Sequence, residues 1–588
     1  MSQDYRNVES ILALDCGSTN TQALFLDRVG NEYRLIARTQ AASTIEPPWN
    51  DVMGSIRQAV GQLSEVMGWT LLDERGQIIS PEHQGGGVDA VVAVLSASQP
   101  LQVVLAGVMN DVSLSSARRA LAASYTVING VISLDRRDDG RHKINDDFEG
   151  QVQMIREILP DALVLVGGID GGATRPVLQS ARAMALACST LSTTRPPILY
   201  AGNAELRPEI AEAVGADAEL RAVDNVRPTL QLENPAPLQA EIEEMYRNRK
   251  MERLPGFSTL AAWSPVQVLP TAKAFAYSVQ YLAQLYGINV LGVDVGGASA
   301  TVAAVVDDQL DLAVRSDLGL SYNAARLLEQ VPVESIQRWL PFELEAAELA
   351  DILHNKALRY RTIPQTRQEL LLEQAVARED LRLTLAGVRA HWAQSEVPTP
   401  DDLLPKFHLI VGGGGVLANA PSYGQVALVL LDALQPVGVS GLAVDQVRLM
   451  APLGAAAMVN PAIAAQVMEQ DALLNLGTVV APMGAAREGD VALTFKIEYE
   501  DGRSLEVEVP YGSLEVIPLP AGQTADLELR PTRRFDVGLG TKGQAGTTKV
   551  EGGIIGIIID ARGRPLPIAE DPEEQREKMQ RWLWDMGS

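Results

Sequence analysis

Two stretches far apart in the chain constrain it most: Asp15-Cys16-Gly17-Ser18-Thr19-Asn20-Thr21 and Asp294-Val295-Gly296-Gly297-Ala298-Ser299-Ala300-Thr301. Each follows an apolar run, Ile11 to Leu14 and Val290 to Val293. Each precedes another, Ala23 to Leu26 and Val302 to Val306. The pattern is strand, glycine turn, strand, written twice. Glycine lets backbone N–H groups converge with no Cβ in the way, and Ser18, Thr19, Thr21 and Ser299 add hydroxyl donors. Such a turn cradles phosphate oxygens, and the aspartate at its entry faces the metal that accompanies them. One Asp-x-Gly also suits an ordinary hairpin; two in matching surroundings say more.

With 588 residues the chain exceeds a single core, and length alone suggests roughly three to four domains. A net charge of −25 argues against sequence-independent nucleic-acid binding and against attachment to anionic membranes, since both polyanions would be repelled. The stretch Met1 to Ser10 has no signal-type apolar core, and no run approaches the ~20 apolar residues of a membrane span. Cys16 and Cys188 alone build neither an iron-sulfur nor a cysteine-rich zinc site. A reducing cytoplasm is the expected location.

A helix is predicted over Trp49 to Val66 and a polar loop over Asp73 to Gly87. Strand-like runs and helical stretches then alternate. The strands are Val91 to Leu95, Val103 to Val108, Val127 to Ile132, Ala162 to Val166 and Ile198 to Ala201. The helices are Ser113 to Ala123, with Ser113 as cap, Phe148 to Leu159, and Pro176 to Ala187. Alternation of this kind means a mostly parallel sheet covered by helices, a Rossmann-like or flavodoxin-like unit inserted between the two glycine turns. Inside it, Gly167-Gly168-Ile169-Asp170-Gly171-Gly172 joins a strand to a helix. It reads either as an anion or cofactor loop or as a close-packed turn, and its spacing is not Gly-x-Gly-x-x-Gly. Tyr200-Ala201-Gly202-Asn203 should lie beside it.

Further along, a charged helix is predicted over Leu238 to Arg253, and Pro270 opens another that ends near Gly287. Glu329 to Ala393 is helical and polar, the expected lid of a second subdomain. The strand Phe407 to Val411 runs into Gly412-Gly413-Gly414-Gly415. The small residues of Leu453 to Met458 permit close helix crossing. From about Asn475 the texture turns to short strands, Leu493 to Tyr499, Ser504 to Val509 and Leu514 to Ile517, with Asp501-Gly502 as a hairpin turn; Gly552 to Asp560 is strongly apolar. Asp571-Pro572-Glu573-Glu574 starts a last helix whose Trp582 and Trp584 are expected to dock.

Two hairpins and a third glycine turn form a set in which phosphates are gripped from both sides and room is left for a nucleoside. This set resembles the actin, Hsp70 and sugar-kinase superfamily, with Leu409 to Asn419 as its adenosine motif and Pro270 to Leu282 and Leu453 to Met458 as its two connecting helices. Within it the chain resembles the MutL proteins associated with glutamate mutase, which are unrelated to the mismatch-repair protein of that name. The stretches that carry this are Leu163 to Gly172, Leu199 to Asn203, Leu254-Pro255-Gly256-Phe257-Ser258, Pro270-Thr271-Ala272 and Asp432 to Val439.

The resemblance implies an α/β, actin-like (ribonuclease H-like), two-lobed ATPase with an inserted Rossmann/flavodoxin-like domain and a C-terminal β-rich domain. The segments expected are 1–87 and 251–474 for the lobes, 88–250 for the insert, 475–568 for a β-barrel or sandwich, and 569–588 for a terminal helix. It implies ATP and Mg²⁺ as cofactors. Asp15 and Asp294 would hold the metal through water, one of them orienting the attacking water. Gly17, Ser18, Thr19 and Thr21 would donate to phosphate from one side and Gly296, Gly297 and Ser299 from the other, with Gly412, Gly413, Gly414 and Gly415 against adenosine. The client would be an adenosylcobalamin-dependent mutase that the protein maintains or reactivates.

One departure stands out. Relatives continue the second turn with two threonines and an aspartate, whereas here Ala300, Thr301 and Val302 follow Ser299, which leaves nucleotide binding intact and points to slow turnover. The insert lacks Asp-x-His-x-x-Gly, so histidine ligation of cobalt is not expected, and His142 reads as a solvated loop residue. Two other readings stay open: a small-molecule kinase of the same superfamily, which needs an aspartate base, and a non-catalytic or filament-forming, nucleotide-dependent assembly protein that forms homo-oligomers.

Overall fold

The computed structural model describes residues 8–133, 148–191, 195–389 and 403–588. Two compact units emerge, one of residues 1–97, 255–312 and 317–588, the other of residues 98–254 with 313–316. His142 and the far end of the predicted lid, beyond residue 389, lie outside the described residues.

The larger unit opens with β1 (Ile11–Cys16), β2 (Asn20–Val29), β3 (Glu32–Ala42), α1 (Val52–Met67) and β4 (Ala90–Leu95). Asp51 starts α1 by accepting the Met53 N–H, and Gly68 ends it in the left-handed conformation that glycine adopts freely. β1 pairs antiparallel with β2 and parallel with β4. The sequence pattern places the apolar run Val91 to Leu95 at the start of the insert; the structure corrects this, because the strand lies against β1. An apolar run buried on both faces fits the middle of either sheet, so periodicity alone could not assign it.

The insert follows as β5 (Leu101–Gly107), α2 (Ser115–Ala122), β6 (Thr126–Ser133), α3 (Phe148–Ile158), β7 (Ala162–Leu165), α4 (Arg175–Thr190), β8 (Ile198–Tyr200), α5 (Arg207–Val214), β9 (Leu220–Ala222) and α6 (Ala236–Tyr246). Its five strands are parallel in the order β6-β5-β7-β8-β9, the flavodoxin-like order 2-1-3-4-5. Its core is aliphatic, centred on Val104, Leu163, Leu165, Met184 and Ile198. Ser113 does not cap α2: it lies in a π-helical turn, Asn110–Leu114, and its hydroxyl donates back to the Met109 carbonyl.

The chain returns through α7 (Phe257–Trp263), β10 (Leu269–Pro270) and α8 (Thr271–Tyr286), then builds β11 (Val290–Val295), β12 (Ala300–Val306), β13 (Gln309–Arg315), α9 (Glu334–Gln337), α10 (Ala346–Leu358), α11 (Arg367–Arg389), β14 (Leu409–Gly413), α12 (Gly415–Ala418), α13 (Tyr423–Leu434), β15 (Gly438–Val444), α14 (Met450–Ala456) and α15 (Pro461–Val467). The first sheet reads β3-β2-β1-β4-β10 and the second contains β13-β12-β11-β14-β15. In both, a hairpin pair is followed by parallel neighbours in the same order. One ribonuclease H-like motif is therefore built twice. α8 follows the last strand of the first copy and α14 the last strand of the second. α8 packs on β11 and β12, while α14 packs on β1 and β4. A single core joins Ile11, Leu24 and Val92 of the first copy through Phe275 and Leu453 to Val290, Val305 and Val411 of the second.

α11 differs from the expected polar lid. Leu371, Leu372, Ala375, Val376, Leu381 and Leu385 are buried as it covers β12, and its polar positions Arg378 and Glu379 are buried in ion pairs.

The C-terminal strands are β16 (Leu474–Ala481), β17 (Val491–Tyr499), β18 (Ser504–Pro510), β19 (Leu514–Ile517), β20 (Thr524–Pro531), β21 (Gly546–Glu551) and β22 (Gly556–Asp560). They are shared between two sheets. β16, β22 and β19 extend the second sheet beyond β15, and β18-β17-β20-β21 form a separate antiparallel sheet. The two are joined by a core in which Val480, Ile557 and Ile559 meet Phe495, Ile497 and Leu527. In the last helix, α16 (Pro572–Asp585), Trp582 is buried but Trp584 is 82% exposed. Residues two apart on a helix point to different faces, so only one of the pair docks.

Candidate functional site

Asp15 and Asp294 each stand one residue before the end of their strands, β1 and β11, at matching places in the two copies. Both turns close with the same bond, Gly17 N–H donating to the Asn20 carbonyl and Gly296 N–H to that of Ser299, each 2.9 Å. The turns meet. A Cβ on Gly297 would lie 2.7 Å from Thr19 Cγ2, so this position faces the first turn with no room for a side chain. Gly17, Ser18, Thr19, Gly296, Gly297 and Ser299 are all partly exposed around this contact. Thr21 is not among them. It is buried in β2, and its hydroxyl is 2.8 Å from that of Ser55 on α1, which turns it into the lobe.

The third glycine turn serves chiefly close approach. Gly413 pairs with Asp294, and a Cβ there would stand 2.8 Å from Asp294 Oδ2. Gly414, at φ +90°, lies so near Val295 that a Cβ would sit 2.2 Å from its carbonyl oxygen. Gly412 faces Leu417 and Leu430. Gly415, at the start of α12, is the one of the four that retains exposure.

Three residues that sequence reasoning missed complete the charge arrangement. Thr271, first in α8, donates to Asp15 Oδ1 at 3.5 Å. Its counterpart after β15 is Asp445, whose oxygens accept the Leu449 and Met450 N–H groups at 2.8 and 2.9 Å and so start α14. Arg448 sits between, in a left-handed conformation, and donates to Gln40 Oε1 at 3.0 Å.

Burial pushes the Asp294 carboxyl up to about 7, the negative charges of Asp15 and Asp445 add to this, and Arg448 opposes it. Burial also raises Asp15, against the pull of Arg448 and the Thr271 hydroxyl. Asp445 is raised to about 6, again mainly by burial. Like carboxylates at close quarters in a partly desolvated site favour either a shared proton or a bound cation. Among the described residues no three potential ligand side chains converge on one point. A hard cation there would keep most of its water, which is how Mg²⁺ binds beside phosphates.

In the insert, Gly167 and Gly202 serve close packing, whereas Gly171 stands clear of its neighbours. A Cβ on Gly167 would lie 2.7 Å from Val108 Cγ2, and one on Gly202 2.7 Å from the Gly167 carbonyl. The neighbouring turn does lie beside it, with Asn203 N–H donating to Gly167 O at 3.3 Å.

Two ribonuclease H-like copies, joined by helices that cross and each presenting a glycine turn behind an aspartate, define an actin-like fold. Among solved structures the chain is similar to the activator of the 2-hydroxyisocaproyl-CoA dehydratase from Clostridium difficile with bound ADPNP (10% identity, 78% of this chain, 97% of that one, TM-score 0.26). It is likewise similar to component A of the Acidaminococcus fermentans (R)-2-hydroxyglutaryl-CoA dehydratase (9%, 77% and 99%, 0.27) and to gluconate kinase from Lactobacillus acidophilus (10%, 78% and 92%, 0.28). These likenesses carry no functional argument. No curated protein matches the chain. Residues 11–472 match the family model described as MutL protein, and the chain belongs to that family, of the type associated with glutamate mutase. Among the described residues no helix is long and apolar enough to cross a membrane.

Proposed function

We propose that this protein binds ATP with Mg²⁺ between its two glycine turns and hydrolyses it slowly, using the cycle to open and close the lobes. The observation that carries the reading is the opposed pair of turns, Gly17 to Thr19 and Gly296 to Ser299, set beside Asp15 and Asp294. Phosphate oxygens would take N–H and hydroxyl donors from both sides. Asp15 and Asp294 would hold the metal through its water, which fits two carboxylates whose repulsion a cation relieves. Gly415 is the glycine best placed to meet the nucleoside. Closing on a γ-phosphate is a two-state device that helices crossing between lobes can transmit.

Slow turnover is supported by the far side of the second turn. Ala300 and Val302 are apolar and buried, so the strand offers no acid to the leaving phosphate; Thr301, paired with Asp294 and therefore on the same face, is its one hydroxyl. Family membership supports an adenosylcobalamin-dependent mutase as client, with the protein as maintenance or reactivating factor in the cytoplasm. The test is turnover of ATP by the purified protein without added small-molecule substrate, then addition of Mg·ATP, free coenzyme and the protein to an inactivated mutase. Recovery that requires ATP supports the reading. Turnover that appears only with a small acceptor would make the protein a kinase instead.

A further inference from the structure

Residues 319–323, Gly-Leu-Ser-Tyr-Asn, run from the end of the β12–β13 hairpin across both turns, and sequence reasoning gave them no role. Leu320 N–H donates to the Gly296 carbonyl at 3.1 Å and Ser321 N–H to the Gly297 carbonyl at 2.8 Å. The Asn323 side-chain amide donates to the Ala298 carbonyl at 2.7 Å. The Tyr322 hydroxyl reaches across to the first turn and donates to the Ser18 carbonyl at 3.4 Å. Gly319, at φ +152°, lies against the second turn so closely that a Cβ would stand 2.9 Å from Gly297 O and Ser299 N. Four successive bonds from one pentapeptide thus take up carbonyls of both turns.

A trans peptide is planar, with C=O and the next N–H pointing in opposite directions. Binding the carbonyls of Gly296, Gly297 and Ala298 on the strap side turns the N–H groups of Gly297, Ala298 and Ser299 away from it. Binding the Ser18 carbonyl does the same for Thr19 N–H. Successive N–H groups held in one direction make a concave anion site. The Tyr322 ring is itself fixed by stacking on Tyr360, with centroids 4.1 Å apart.

We infer that residues 319–323 are a strap that orients the phosphate-facing N–H groups of both turns, with Asn323 and Tyr322 as positioning residues. Asn323 sets the second turn and Tyr322 ties the first turn to it, so the two sides of the anion site are aligned by one element. This rests on the nucleotide reading above and deepens it.

The test compares wild type, Asn323→Asp and Tyr322→Phe in the full chain. Asn323→Asp keeps the shape but removes the donor, and Tyr322→Phe keeps the stacked ring but removes the hydroxyl. A fluorescent ATP analogue with Mg²⁺ gives Kd, steady-state hydrolysis gives KM and kcat separately, and thermal melting without nucleotide reports the fold. The strap predicts that Asn323→Asp raises Kd and KM roughly tenfold, and Tyr322→Phe severalfold, while kcat changes less and nucleotide-free melting stays near that of wild type. Wild-type binding with unchanged Kd in both variants overturns the strap, as does a loss of binding that only tracks a loss of melting temperature. If Asn323→Asp fails to fold, Tyr322→Phe decides. Absence of binding by wild type would instead remove the nucleotide reading.

Discussion

Gly297 in the second turn touches Thr19 in the first, and a Cβ added to Gly297 would lie 2.7 Å from Thr19 Cγ2. The contact spans the lobes at the point where a phosphate would be gripped. Gly297→Val should therefore wedge the turns apart. We expect its affinity for Mg·ATP to fall at least about tenfold, while unfolding by urea shows a loss of about 1–3 kcal/mol at most. Calorimetric titration beside a denaturation curve separates the two effects. Unchanged affinity would mean that phosphate is not held between these turns.

The lobes are coupled where α14 crosses α8. Gly454 lies so close to α8 that a Cβ would be 2.0 Å from the Ala274 carbonyl oxygen, and this is a backbone atom that cannot swing aside. Gly454→Leu should lower stability by more than 1–3 kcal/mol, the usual cost of overpacking, because two helices that each pack on the opposite lobe must separate. Chemical denaturation followed by tryptophan fluorescence measures it.

The C-terminal strands are tied to the second lobe by buried charge. Arg562 donates to Asp560 and to Asp432, each at 2.8 Å, Arg378 donates to the other oxygen of Asp432 at 2.8 Å, and Arg564 donates to Asp560 at 2.6 Å. All five are buried, and the arginines hold the Asp560 carboxyl well below its usual range. Arg562→Met leaves two buried carboxylates short of a partner and should cost about 3–5 kcal/mol. Truncation after residue 472 should fail to give a folded protein, since Asp432 would lose Arg562 and β15 would lose its neighbour β16. A cooperative melt from the truncated chain would refute this.

Titration of Asp294 gives a pH signature. Its folded pKa, about 7, lies above the unfolded carboxylate value near 3.9, so the metal-free folded state holds the proton more tightly. That stabilising contribution is complete below the unfolded value and is lost as pH rises through about 7. Metal-free wild type should melt at lower temperature as pH rises from 5 to 8, and Asp294→Asn should lose most of that dependence. A cation needs the carboxylate, so Mg·ATP binding near pH 6.5 should release a proton. Titration calorimetry in buffers of different ionisation enthalpy detects it.

Both hairpins, the start and end of α8, and the alternation of the insert were legible in the sequence because each is a local pattern: an apolar run, a glycine, a cap. What was not legible depends on distant partners. The run Val91 to Leu95 is apolar on both faces, which suits either sheet, and only pairing with β1 places it. Nothing local distinguishes β16 and β22, which join the second sheet, from β17, which does not. Asp445, Arg448, Tyr322 and Asn323 enter the site through loops whose polar residues resemble any others until the fold brings them to the turns. Thr21 misled for the opposite reason: it stands in the right motif, but the strand turns its hydroxyl toward Ser55.

The most direct measurement is calorimetric titration of Mg·ATP into the full-length protein, repeated with Asp15→Asn, Asp294→Asn and Gly297→Val. The account predicts one site per chain in wild type, binding that depends on Mg²⁺, and a loss of at least about tenfold in each variant. Absence of Mg·ATP binding by a folded wild-type protein, or equal binding by all four, would contradict it.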